Sequence, residues 1–181
     1  MHTDFLHYES LEPHWVGAEA CFYCLGASAT SLAEADYTRI NHDYPLAAAT
    51  VLARLAPRLT FVYVSGGGTD STERGRVMWA RVKGRTENAL LRLPFSAYML
   101  RPGFIEAKHG EISKTRVYRA IYAVLRPLLP LLRLGYGRQM LTTEEIGRIM
   151  LHLARHGHPV RILGIPDLRA LADAIGRPTA A

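Results

Sequence analysis

Four short runs of apolar, β-branched and aromatic residues punctuate this chain: residues 20–26 (ACFYCLG), 59–65 (LTFVYVS), 95–101 (FSAYMLR) and 160–165 (VRILGI). Each is nearly continuous in apolarity rather than alternating, which is the pattern of strands covered on both faces. Segments with helical spacing separate them. Residues 33–55 place apolar side chains at Ile40, Leu46, Ala47, Val51 and Leu55, and Pro57 closes the run. Residues 72–93 follow Asp70, Ser71 and Thr72, all residue types that cap helix starts. Residues 142–156 open on Thr142 and Thr143, carry Glu144 and Glu145 in the first turn, and stop at Gly157, an order that suits the helix dipole. Residues 167–175 read as a last short helix. Strands alternating with helices predict an α/β fold with a parallel, doubly wound, Rossmann-like sheet.

Composition narrows the class. At 181 residues, of which 49% are hydrophobic and 21% charged, the chain reads as a single domain over 1–181 with a substantial core. Its net charge of +6 is spread along the sequence rather than gathered into a patch, which argues against nucleic acid as a partner. Acidic residues and His2 interrupt the first dozen positions, so no secretory leader is read there, and the expected compartment is a reducing cytoplasm. No run of about 18 uncharged apolar residues predicts a spanning helix. Residues 118–136 are apolar but studded with Arg119, Arg126 and Arg133 and broken by Pro127 and Pro130. An interfacial amphipathic helix is one reading. Two prolines suit short helices over a pocket better, so 110–141 is expected to form a small substrate-side cap and membrane association is not expected.

The candidate chemistry lies around residues 65–104. Strand, turn and helix bring Ser65, Trp79 and Lys83 toward the carboxyl edge of the sheet, where open α/β folds bind ligands. Plainer readings exist for each. Ser65 can cap the strand end, Trp79 can be a core aromatic, and Lys83 can pair with Glu87 one turn on. Asp70 and Glu73 read as a helix cap and first-turn charge. Cys21 and Cys24 form C-x-x-C, yet residues three apart on a strand point to opposite faces, so no shared redox or metal site is expected. His152, His156 and His158 lack companions at zinc spacing, and no metal is expected.

The order VSGGGTDS, MWARVKGRTEN, LRPGFI and TTEEIGRIM, with CFYCLGAS and YTRINHDYPLAAA before it, resembles the atypical, extended-type short-chain dehydrogenases/reductases. The likeness is to Tat-interacting-protein-like and epimerase-like NAD(P)-binding proteins, from about Asp4 to Ala170. This resemblance implies NAD or NADP as cofactor and a small-molecule substrate. It implies that Asp4 and Phe5 contact adenine, and that Leu25, Gly26 and Ala27 line the ribose. By the same resemblance Asn41 supports the active site, Ser65 holds a substrate oxygen, and Lys83 grips ribose hydroxyls. Pro102, Gly103 and Phe104 match the turn beside the nicotinamide.

Two departures follow. Trp79 stands where the family has Tyr, and an indole donates a hydrogen bond but exchanges no proton near neutral pH. Tyr23, Tyr63 and Tyr98 are the phenols that remain as substitutes. The family's opening strand, Gly-rich turn and helix, whose N–H groups hold pyrophosphate, is not found before Asp4. Gly66, Gly67 and Gly68 follow the Ser65 strand and read as a turn. The expectation is therefore a sheet lacking its first βαβ unit, as an N-terminally shortened copy, with weakened cofactor binding. The edge so opened on residues 20–26 invites pairing with a second copy. Two functions remain in view: an NAD(P)-linked oxidoreductase or epimerase, and a non-catalytic NAD(P)-binding or protein-interaction module.

Overall fold

The computed structural model describes residues 4–106 and 140–176. The expected cap over 110–141 lies outside the described residues apart from Met140 and Leu141, and so does the 118–136 segment. Strands β1 (Ala20–Tyr23), β2 (Thr60–Val64), β3 (Ser96–Leu100) and β6 (Ile162–Leu163) form a parallel sheet in the order β1-β2-β3-β6. A separate parallel pair joins β4 (Ile105–Glu106) to β5 (Leu141–Thr142).

Each apolar run feeds both faces, which explains its lack of alternation. On one face, Tyr23, Phe61, Tyr63, Ala97 and Met99 pack against Ala48, Ala49 and Leu52 of α3 (Tyr44–Leu55) and Leu90 of α4 (Met78–Leu91). On the other, Val62, Tyr98, Leu100 and Leu163 meet Ile146, Ile149, Met150 and Leu153 of α5 (Thr143–His156) and Leu168 of α6 (Ile165–Gly176). Phe61 and Val62, neighbours in sequence, are both fully buried in opposite layers. Burial of each such side chain contributes about 1.5–3 kcal/mol. Helices on both faces of a parallel sheet give the doubly wound arrangement that the sequence predicts.

The helix expected over 33–55 arrives in three pieces: α2 (Glu34–Thr38), a π-turn (Arg39–Asp43) and α3. Pro45 accounts for part of this break, since it has no N–H to offer the Asn41 carbonyl four residues back. The Thr142 start holds: its hydroxyl accepts from the Glu145 N–H, while the Glu145 carboxylate accepts from the Thr142 N–H. The start expected near Thr72 does not. Helix α4 begins at Met78, because Asp70 closes a loop instead of capping a helix. Its carboxylate accepts from the Thr72 N–H and hydroxyl and from the Gly75 N–H, and these bonds hold that carboxyl below its usual range. Glu73, within this loop, adopts positive φ.

At the sheet's start, β1 has β2 as its sole strand neighbour among the described residues. Phe22, in register with Val62, stays 39% exposed. Cys21 and Cys24 are free thiols. Cys21 packs against the α3-side core, and burial pushes its thiol up to about 12.

Candidate functional site

Ser65 follows β2 directly and is tied to the next strand twice. Its N–H donates to the Leu100 carbonyl at 2.9 Å, and its hydroxyl donates to the same oxygen at 3.0 Å. The side chain is 7% exposed. Ser65 therefore anchors the strand end, the plainer of its two sequence readings, and its proton is already committed. The residue's own carbonyl accepts from the Lys83 ammonium on α4, at 2.5 Å. Lys83 also lies over the Tyr63 ring, 5.8 Å from its centroid. Burial lowers the Lys83 amine to about 8, against a smaller opposing pull from Glu87.

Trp79 sits one turn before Lys83. A Cβ placed on Gly68 would lie 3.3 Å from its indole Cη2, so the indole rests against the glycine turn after Ser65. Gly68 has φ +87°, a backbone state that L side chains rarely adopt. The turn is tied to the next strand's exit: the Gly67 N–H donates to the Pro102 carbonyl at 2.7 Å. Ser65, the 66–68 turn, Trp79, Lys83 and the Pro102–Gly103 turn thus converge at one edge. Pro102 is buried, and Phe104 is exposed beyond it.

Asn41 joins this edge to β1. Its amide oxygen accepts from the Ala27 N–H at 3.2 Å, and its amide nitrogen donates to the Tyr37 and Ala27 carbonyls. A Cβ on Gly26 would come within 2.9 Å of that amide oxygen, so only glycine fits the turn as it stands. The Asn41 carbonyl, to which Pro45 has no N–H to offer, accepts from the Tyr63 hydroxyl at 3.1 Å. The Thr86 hydroxyl of α4 also lies 2.9 Å from it. Asn41 thus supports the edge through its backbone as much as through its amide. Leu25 is exposed beside it, and Ala27 is half-buried. Asp4 and Phe5 lie in the segment before β1, where Asp4 bonds to His7 and to the Leu6 N–H, and Phe5 packs on Tyr44 at 5.4 Å.

The phenols held in reserve do not replace the missing one. The Tyr63 hydroxyl is spent on Asn41, and burial raises its pKa. Tyr98 donates to the His158 carbonyl and accepts from the His158 N–H. The Tyr23 hydroxyl is buried, has no hydrogen-bond partner among the described residues, and is raised by burial. Nor is Glu87 the surface partner of Lys83. It is fully buried and takes the Arg101 guanidinium, which also reaches the Ser71 hydroxyl. The sequence reading missed Arg101 and Thr86 as parts of this edge, took Glu87 for a surface partner of Lys83, and weighed Tyr63 only as a substitute phenol. A Thr–Glu pair on the buried stripe of α4, with Arg just past β3, was the available signal. His152 and His156 have rings 4.8 Å apart, but among the described residues no group of three His, Cys, Asp or Glu side chains can hold a metal. Among them, too, no helix is long and apolar enough to cross a membrane.

No family model and no curated protein matches this sequence. Solved structures do share the fold. RMD from Pseudomonas aeruginosa, complexed with NADPH, aligns with a TM-score of 0.63 at 17% identity, over 97% of this chain and 72% of its own. The Bordetella bronchiseptica enzyme WbmG, in complex with NAD and UDP, gives 0.57 at 12% identity, over 100% and 64%. The structure of gox2253 gives 0.60 at 11%, over 99% and 62%. The chain therefore spans 62–72% of the length of these structures. At such identities the likeness is one of fold: a Rossmann-like α/β sheet.

Proposed function

We propose that the carboxyl edge of this sheet holds an NAD(P) dinucleotide, and that the chain is an NAD(P)-linked oxidoreductase or epimerase-like protein acting on a small molecule. The observation that carries this reading is the Lys83 ammonium beside the Ser65 carbonyl, at the carboxyl edge where the 66–68 and Pro102–Gly103 turns meet. The region outside the carboxyl ends of the strands is where open α/β sheets take nucleotides. The donor set suits a sugar: an ammonium carries three N–H groups, and Ser65 accepts one of them. Lys83 would hold the ribose hydroxyls, with the Gly26–Ala27 turn alongside and Pro102–Gly103 facing the nicotinamide. The bound dinucleotide would supply hydride chemistry; the protein supplies position and charge. Structures of the same fold carry NADPH or NAD, which supports this choice of ligand.

A second reading keeps the ligand and drops the reaction. Trp79, packed on Gly68 in the phenol's place, favours a non-catalytic NAD(P)-binding module.

Trp15 and Trp79 are the two tryptophans, so Trp15→Phe leaves Trp79 as sole emitter. NADPH and NADH titrated into that variant should quench Trp79 saturably below about 1 mM, a binding free energy of about −4 kcal/mol or better. Absence of quenching at several times that level would remove both readings.

A further inference from the structure

We propose that Lys83 is the proton-transfer group of this edge, giving its Nζ proton to a substrate carbonyl oxygen in the role that Trp79 cannot fill. The proposal rests on the dinucleotide reading above and goes beyond it by assigning the acid. The other polar side chains of this edge are already engaged. Ser65 donates to Leu100, Tyr63 to Asn41 and Tyr98 to His158, while the Tyr23 hydroxyl is sealed in the α3-side core. Glu87 is locked onto Arg101. Lys83, also at this edge, can lose a proton and remains partly exposed.

The surroundings of Lys83 leave its proton mobile. From β2 the Tyr63 ring faces it; from its own helix Glu87 lies one turn on, with its charge already answered by Arg101. On the other packed elements, His42 pairs with Asp43 in the π-turn, Tyr37 of α2 is buried, and Tyr98 of β3 is bound at His158. Glu87 favours the charged ammonium, but burial outweighs that pull and lowers the amine's affinity for the proton. An acid whose pKa lies near the working pH transfers its proton most effectively.

The step balances as a carbonyl reduction. The substrate's C=O π bond breaks; its carbon gains a C–H bond with the electron pair of hydride from a reduced nicotinamide. The carbonyl oxygen gains the Nζ proton. The products are an alcohol, an oxidised nicotinamide and a neutral amine, which recovers a proton from water. Alcohol oxidation is the same step reversed.

The chain has three lysines, Lys83, Lys108 and Lys114, so lysine labelled with ¹³C at Cε gives three signals. One should titrate at about 8 and be the signal missing from Lys83→Met. Lys83→Arg keeps the charge but does not release the proton. In the Trp15→Phe background, where Trp79 quenching reports NADPH occupancy, it should reduce a small 1,2-diketone probe at saturating NADPH at least about 100-fold more slowly than its parent. Wild-type activity should fall on the alkaline side of the same titration. Far-UV circular dichroism confirms that each variant is folded. A Lys83 signal titrating at the ordinary lysine value overturns the proposal. So does an arginine variant as fast as wild type, or a wild type that binds NADPH but leaves the diketone unreduced. Absence of Trp79 quenching in Trp15→Phe is a separate outcome that removes the dinucleotide reading itself, and the proposal with it.

Discussion

Lys83 donates to the backbone carbonyl of Ser65, not to its hydroxyl. The serine proton is turned inward to Leu100, so the pair forms a clamp that holds a cation at the end of β2. The clamp places a positive charge without spending it on a carboxylate, which is what binding a neutral sugar edge or moving a proton requires.

Close packing of the Asp70 loop on α4 depends on Gly84. A Cβ there would lie 1.8 Å from the Asp70 carbonyl oxygen, and backbone cannot swing away as a side chain can. Gly84→Ala should destabilise the fold by about 3 kcal/mol, the upper part of the overpacking range, and lower Tm by roughly 5–10 °C. Gly147→Ala, in open space on α5, should gain up to about 1 kcal/mol. Thermal unfolding of the two variants checks both signs.

The buried Glu87 charge is compensated by Arg101. Arg101→Met leaves a fully buried carboxylate unpaired and should cost about 3–5 kcal/mol in urea unfolding. Glu87→Gln removes the carboxylate that raises the Lys83 pKa, so the Lys83 signal should titrate lower than in wild type.

Asn41 works through both ends of its amide. Asn41→Ala should lose about 1–3 kcal/mol and weaken NADPH binding by loosening the Gly26–Ala27 turn. Asn41→Asp should do no better, because the Ala27 and Tyr37 carbonyls both need an N–H donor. An aspartate variant as stable as wild type would show the amide to be dispensable.

Stability should depend on pH through Lys83. Its amine titrates at about 8 in the folded state against 10.5 for an unperturbed lysine. Below the lower value both states are protonated and the cost of burying the charge is present in full. Between the two values the unfolded chain binds more protons, so stability rises with pH. Lys83→Met buries no charge. Its Tm should exceed that of wild type at pH 7, by a margin that narrows toward pH 10.

The sheet was legible in the sequence because its strands are apolar on both faces, and four such runs separated by helical spacing leave few other folds. The Thr142 start was legible because its cap chemistry is local. What could not be read depends on distant partners. Asp70 looks like a cap until Gly75 and the Gly84 approach give its carboxylate and carbonyl other places to go. Lys83 and Glu87, four apart, read as an ion pair; Arg101, at the end of another strand, outcompetes the lysine. Ser65, Lys83 and Asn41 were singled out as residues, but the direction of the Ser65 hydroxyl and the partners of the Asn41 carbonyl are tertiary facts.

The dinucleotide claim is tested most directly by following the three ¹³C-lysine signals as NADPH is added. The account predicts that the Lys83 signal moves saturably below about 1 mM. A Lys83 signal that stays fixed at about 5 mM NADPH would contradict it.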